Sequence, residues 1–257
     1  MSTDEKTLDW YQKRAEKYTN HVRNPDDAVY HSYYEKPAMY ALLPDLKGKT
    51  VLSVGCGSGE DSNYLKNQGA TKSVGIDLSS ELIKIASQTY PNCEFKTMDM
   101  EKLEFADQSF DFAYSSLAIH YIENWTQSLS EVYRVLKPGS HFIFSCNHPV
   151  RFAAEVVENE DHEIYKVEVF KNKITKEATI IGDYLNKNKI VDVFGENTVN
   201  FWHVPMGEIS KCIYEAGFLI EQIVEPLPKE RMKELRPETY KRLQKIPEFI
   251  IFKLLKR

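Results

Sequence analysis

The chain has 257 residues, 42% of them hydrophobic and 28% charged, enough for one globular domain with a buried core that needs no staples. The formal net charge is −5 and no basic block stands out, which argues against a nucleic-acid surface and for a small-molecule partner. The four cysteines Cys56, Cys93, Cys146 and Cys212 form no CxxC pair, so neither a disulfide framework nor a zinc site is expected. No run approaches the roughly 18 apolar residues of a membrane span. The polar opening Met1-Ser-Thr-Asp-Glu-Lys6 lacks a signal-peptide core; the expected setting is cytoplasmic, without a membrane partner.

Leu8, Tyr11, Ala15 and Tyr18 recur at helical steps and predict a helix from Asp4 to Asn20. A second helix is expected over Tyr33–Leu43, stopping before Pro44. Strands and helices then alternate. Strand one is Thr50–Val54, and a helix follows from Glu60 to about Gln68 with Gly69 at its end. Strand two is Ser73–Ile76, after which Ser79 caps a helix carrying Leu82, Ile85 and Ala86. Strand three is Cys93–Thr97 and strand four is Phe110–Ser115. A helix from about Asn124 carries Leu129, Val132, Tyr133 and Leu136, and strand five runs from His141 to Cys146. Residues 150–205 break the rhythm with short extended runs and read as an insertion. A helix over Gly207–Ala216, a strand over Phe218–Val224 and a last strand over Glu248–Leu255 complete the chain. The Lys/Arg-rich stretch from Arg231 to Lys245 reads as a solvated helical face. Such alternation predicts a parallel sheet with right-handed crossovers, and such sheets bind ligands beyond the carboxyl ends of their strands.

The most informative segment is Val51-Leu-Ser-Val-Gly55-Cys56-Gly57-Ser-Gly59-Glu60-Asp61, a buried strand leading through a glycine turn into a helix. Glycines there let a ligand lie against bare backbone. Glu60 and Asp61 occupy the first helical turn, where a dinucleotide would place its pyrophosphate. Two carboxylates repel that group and suit a ligand whose near end is cationic or zwitterionic, as in S-adenosylmethionine (SAM). Asp77 ends strand two, followed by Leu78, where a carboxylate accepts ribose hydroxyls. Asp99 and Met100 follow strand three and suit an adenine edge. All lie at one edge of one sheet.

In order, VLSVGCGSGE, VGIDLS, FKTMDMEKLEF, SFDFAYSSLAIHYIEN and EVYRVLKPGSHFIFS make Val51–Ser145 resemble a class I SAM-dependent methyltransferase of the small-molecule, ubiquinone/menaquinone-methyltransferase-like group. The resemblance implies a Rossmann-like α/β fold: a seven-stranded sheet of order 3-2-1-4-5-7-6 with the last strand antiparallel, flanked by helices. It implies SAM as cofactor, with the methionine tail on Gly55, Cys56, Gly57 and Gly59, ribose on Asp77 and Leu78, and adenine on Asp99 and Met100. Ser115 and Ser116 fall where the family lines the floor of the transfer site. One departure stands out: the family's usual acid two residues before the first glycine is Ser53 here, which leaves the methionine ammonium to backbone, water or another acid such as Asp61.

Residues 1–257 are expected to form a single methyltransferase domain. Within it, residues 1–45 form an N-terminal lid in which Tyr11, Arg14 and Tyr18 share a face, and residues 150–205 form an acceptor-recognition cap with Tyr184, Phe194 and Trp202 as candidate walls. Methyl transfer is an in-line displacement, and a general base is needed only where the acceptor must lose a proton early. His120, after strand four, is the leading base candidate, with His148 and His203 behind it. No two of these share a metal-ligand spacing, so no metal is expected. The expected activity is methyl transfer to a small organic acceptor. The rivals are transfer to protein or RNA, a noncatalytic SAM-binding regulator, and a nicotinamide oxidoreductase, which would want a glycine where Glu60 stands. The sequence leaves the acceptor, the methylated atom and the oligomeric state open.

Overall fold

The computed structural model describes residues 2–158, 163–194 and 197–257. Asp4 caps helix α1 (Glu5–Lys13), its Oδ1 accepting the Thr7 N–H at 3.2 Å. The chain then breaks at Arg14 and restarts as α2 (Ala15–Arg23), so the single helix expected over Asp4–Asn20 is two; no glycine or proline marks the break. The second expected helix opens with a π-helical turn, His31–Glu35, and continues as α3 (Lys36–Ala41). This widened turn rotates Glu35 into the interior, and such turns gather at functional sites.

The seven sheet strands are β1 (Thr50–Val54), β2 (Lys72–Asp77), β3 (Glu94–Thr97), β4 (Phe110–Ser115), β5 (Leu136–Asn147), β6 (Phe218–Val224) and β7 (Phe249–Lys256). They lie in the order 3-2-1-4-5-7-6. β1 to β5 pair in parallel, as in Leu52 with Val74 and Tyr114 with Ile143. β7 runs antiparallel to both neighbours, Phe252 facing Phe144 on β5. The architecture is the one the motifs imply. β5 starts five residues earlier than expected: Lys137-Pro-Gly139 belongs to the strand, and its register against Phe110 and Phe112 is irregular.

Alternate side chains feed two apolar layers. Leu52, Val54, Phe142, Phe144 and Phe252 pack beneath α6 (Trp125–Val135) and α7 (Met206–Glu215). Val51, Phe112, Tyr114, Ile143 and Ile251 pack against Met39 of α3 and Leu65 of α4 (Glu60–Asn67). Helix α5 (Ser80–Thr89) is capped by Ser79 as expected, Oγ accepting the Leu82 N–H at 3.3 Å. The basic stretch forms α8 (Glu230–Leu235) and α9 (Pro237–Leu243), whose inner face buries Met232, Tyr240 and Leu243 against Val29, Tyr34 and Phe249.

Among the described residues, three two-stranded antiparallel ribbons lie between β5 and α7: Glu155–Glu158 with Glu163–Lys166, Glu168–Lys171 with Ala178–Ile181, and Asn188–Phe194 with Asn197–His203. The third is tied to α1, Asn200 Nδ2 donating to Asp4 Oδ1 at 2.9 Å and Asn200 N to Thr7 Oγ1 at 2.9 Å. The side chain of Phe194, a candidate wall, lies outside the described residues.

Candidate functional site

The glycine turn leaves β1 with Gly55 (φ +65°) and Gly57 (φ +53°) in left-handed conformations. A Cβ on Gly55 would stand 2.4 Å from the Ala118 Cβ, and one on Gly57 would reach 3.5 Å from the Tyr18 ring. Gly59 (φ +92°) starts α4 and faces inward, where a Cβ would meet Phe95 and Ala86 at 2.8 and 2.9 Å. It serves helix–sheet packing and is not among the residues lining the cavity. Asp77, at the end of β2, straps the turn: Oδ2 accepts the Gly57 N–H at 2.9 Å and Oδ1 the Ser79 N–H at 2.8 Å. Burial raises its carboxyl from the ordinary value while those two donors pull it back. Each oxygen keeps lone-pair capacity for a vicinal diol.

A cavity opens above this turn, roofed by α1 and α2. Gly55, Gly57, Asp77 and Ser116 form its polar floor; Leu78, Leu82, Met98 and Met100 line an apolar slot; Tyr11, Tyr18 and Tyr121 stand over it. The tyrosines are mutually fixed. Tyr11 and Tyr121 share a hydrogen bond of 2.8 Å, and Tyr11 meets the edges of Tyr18 and Tyr121 with centroids 5.3 and 5.7 Å away. Burial holds the Tyr11 and Tyr18 phenols well above their usual value, so both stay neutral. Arg14, expected on the same face, instead lies over Trp10 at 5.7 Å.

Tyr18, Gly55, Gly57 and Ser116 also border a smaller adjoining chamber, closed by Cys56, His31, Lys36, Glu60 and Asp61. Asp61 accepts the Tyr40 hydroxyl at 2.7 Å and pairs with Lys36 Nζ at 3.0 Å. Burial works against the Lys36 charge, but Asp61 and Glu35 outweigh it and raise the ammonium above its usual value. Ser53 is buried at the end of β1, so Asp61 and Glu60 are the acids at this end. The chamber thus carries both signs of charge, as an amino-acid zwitterion requires.

Behind Ser116 lies Glu35, wholly buried. Its Oε1 accepts the Ser116 hydroxyl at 2.9 Å and the Ser145 hydroxyl at 2.6 Å, and Ser145 Oγ takes the Leu117 N–H at 2.9 Å. Leu117 is held at φ +49°, a conformation costing about 1–3 kcal/mol for a residue with a side chain. Burial first, and Asp61 second, push the Glu35 carboxyl up to about 7. Sequence reasoning missed Glu35, His31, Lys36, Met98 and Tyr121. A signal for Glu35 existed: it sits on the helical stripe of Met39 and Leu42, where an acid has no place in a simple core.

Other expected residues stand apart. Asp99 turns from the cavity and accepts the N–H groups of Ser2 at 2.8 Å and Glu101 at 3.0 Å. Ser115 is buried with its hydroxyl facing the interior and is not a cavity wall. None of the three histidines lines the cavity. His120 packs against Tyr121 and Phe201, its Nδ1 without a partner, and burial with Arg151 nearby lowers it to about 3. His148 is engaged at both nitrogens, Nδ1 accepting the Val150 N–H at 3.2 Å and Nε2 meeting Glu225 at 2.9 Å. His203 Nε2 donates to the Tyr184 carbonyl at 2.9 Å.

Comparison with known proteins bears on the family and the fold. The family model described as a methyltransferase domain matches residues 52–144. An uncharacterized protein of Haemophilus influenzae is 31% identical over 201 residues, covering 75% of this chain and 76% of that one. The malonyl-[acyl-carrier protein] O-methyltransferase of Pectobacterium atrosepticum is 33% identical over 107 residues, 42% of either chain; the match thus spans less than half of that enzyme. The crystal structure of an S-adenosylmethionine-dependent methyltransferase from Mesorhizobium loti superimposes with a TM-score of 0.71 at 27% identity, over 89% of this chain and 99% of that one. The cradle of bare glycines, the buried Asp77 and the chamber with charges of both signs fit S-adenosylmethionine, the cofactor named for the Mesorhizobium loti enzyme. The chain belongs to the class I SAM-dependent methyltransferases.

Proposed function

We propose that the chain methylates a small organic acceptor, and that the two joined chambers hold the cofactor. When bound, SAM supplies a methyl group already activated by its sulfonium charge. Asp77 would take the ribose hydroxyls on the oxygen lone pairs that Gly57 and Ser79 leave free. Met98, Met100, Leu78 and Leu82 would clamp the adenine. Asp61 and Glu60 would face the methionine ammonium, Asp61 standing in for the acid that Ser53 replaces. Gly55 and Gly57 would admit the tail against their backbone. Asp99 keeps an outer role, fastening the N-terminal segment over the adenine end through Ser2.

The observation that carries the acceptor class is the closed aromatic roof. Tyr11, Tyr18 and Tyr121 lock together over the floor of Gly55, Ser116 and Ala118. Their faces favour a cation beneath them, and their contacts exclude water from the line of displacement. A polymer would need an open groove along this edge; a compact molecule needs only the space between the roof and the ribbons of residues 150–205, which we assign as lid and cap. His120 lies outside the cavity lining and its burial disfavours the protonated ring, which speaks against it as base in this arrangement. Ser116, backed by Glu35, is a polar side chain of the floor itself. The test is transfer of radiolabelled methyl from SAM into a cell extract, fractionated by size. Label in the small-molecule fraction is expected; label confined to protein or RNA would refute the acceptor class.

A further inference from the structure

The second ribbon of the 150–205 segment presents apolar side chains to solvent. Val169 and Ile180 are cross-strand partners on one face, 67% and 70% exposed, and Ile174 at the tip is 91% exposed. Lys171 shares the Val169 face, two residues along, and Lys173 and Lys176 flank Ile174 in the turn. The tip is a built turn: Asn172 Oδ1 accepts the N–H groups of Ile174 at 2.8 Å and Thr175 at 3.1 Å, and Lys176 N donates to the Asn172 carbonyl at 3.0 Å. Ile174 is therefore held outward at the apex.

The charges are lopsided. Between residues 171 and 177 three lysines face one acid, Glu177, in a chain whose formal net charge is −5. Among the described residues none of these lysines makes an ion pair. Glu168, at the ribbon's base, faces Lys166 at 3.4 Å.

We propose that this ribbon is a peripheral anchor for an anionic lipid bilayer, with Ile174 entering the headgroup boundary and Lys171, Lys173 and Lys176 meeting lipid phosphates. A convex apolar apex ringed by cations suits a deformable anionic surface; a protein partner would need a matching concave acidic pocket. The anchor crosses nothing, and among the described residues no helix is long and apolar enough to span a membrane. It departs from the sequence-based expectation of no membrane partner, and it stands independently of the acceptor assignment.

The test is co-sedimentation of the full chain with vesicles of phosphatidylcholine alone and with about one third phosphatidylglycerol. The chain is expected to sediment with the anionic vesicles, weakly with neutral ones, and to be released by salt. Each lysine contributes about fivefold in partitioning, so Lys171→Glu with Lys173→Glu should lower it by about 25-fold or more. Ile174→Asp should weaken binding with every lysine in place, which charge alone would not do. S-adenosylhomocysteine affinity, unchanged in all variants, certifies the fold. Absent sedimentation with anionic vesicles, or variants that bind like the parent, would overturn the proposal. So would a dimer in light scattering that Ile174→Asp dissociates, since the face would then belong to a second copy.

Discussion

The Glu35 carboxylate accepts the Ser116 hydroxyl at 2.9 Å across 81 positions of sequence, joining a buried acid on the N-terminal π-helical turn to the floor of the cavity above the glycine turn. The link makes the cavity floor sensitive to the charge state of Glu35. Burial raises its folded-state value to about 7 from 4.5. The folded chain therefore keeps a proton that the unfolded chain has lost between those limits. Stability from this group is full below 4.5 and falls as pH rises toward 7, by roughly 3 kcal/mol in total. Glu35→Gln preserves an acceptor for Ser116 and Ser145 and cannot ionise. Urea unfolding should give nearly equal stabilities near pH 4.5 and a Gln variant that gains on the parent up to pH 7. Parallel profiles would show that Glu35 does not titrate in that window.

His120 works in the opposite sense. Burial lowers it to about 3 from 6.5, so below 6.5 the unfolded chain takes up a proton that the folded chain refuses. The stability it supports is present above 6.5 and drains away as pH falls toward 3, by about 1.4 kcal/mol per pH unit while the difference persists. His120→Gln should unfold at a lower pH than the parent in an acid titration followed by circular dichroism. An unchanged acid midpoint would place His120 in water and reopen it as a base.

Most of the sheet was readable because each strand carries its own punctuation. Gly55, Gly69 and Gly217 stand at positive φ where elements stop or turn, and Ser79 and Asn124 cap their helices as their types suggest. The end of β2 fixed Asp77, since a strand end determines where its next side chain emerges. The histidines show the limit of that logic. Sequence proximity to a strand end does not set side-chain direction, and His148 was captured by Glu225, 77 positions away. Glu35 and Lys36 lie on a helix that reads as amphipathic, and only the π-helical turn sends them toward Ser116 and Asp61. The break at Arg14 accompanies the packing of Tyr11 and Tyr18 over the cavity, and no local propensity announces it.

In the proposed cofactor seat the smaller chamber would separate recognition of the amino-acid end from recognition of the nucleoside. If Lys36 receives the methionine carboxylate while Asp61 receives the ammonium, Lys36→Met should weaken S-adenosylhomocysteine by about 10- to 100-fold, as loss of a charge-assisted hydrogen bond does. It should leave 5′-methylthioadenosine, which lacks the amino acid, unaffected. Asp77→Ala should weaken both ligands by a similar factor. Calorimetry with the two ligands distinguishes the cases. Equal losses for both ligands in the Lys36 variant would make Lys36 a structural partner of Asp61 alone.

Gly55 and Ala118 test whether the turn geometry, and not merely glycine content, builds the cavity. Alanine at 55 meets two obstacles: φ of +65° disfavours any side chain, and its Cβ would lie 2.4 Å from that of Ala118. Left-handed backbone costs an alanine about 1–2 kcal/mol, and the overlap adds displacement of the Ser116–Ala118 segment that floors the cavity. Gly55→Ala should therefore lose both stability and S-adenosylhomocysteine binding. Ala118→Gly removes the atom in the way but not the backbone strain. In the double variant ligand affinity should recover more fully than thermal stability. Recovery of both together would mean that the collision was the whole cost; recovery of neither would mean that the strained turn itself shapes the ligand seat.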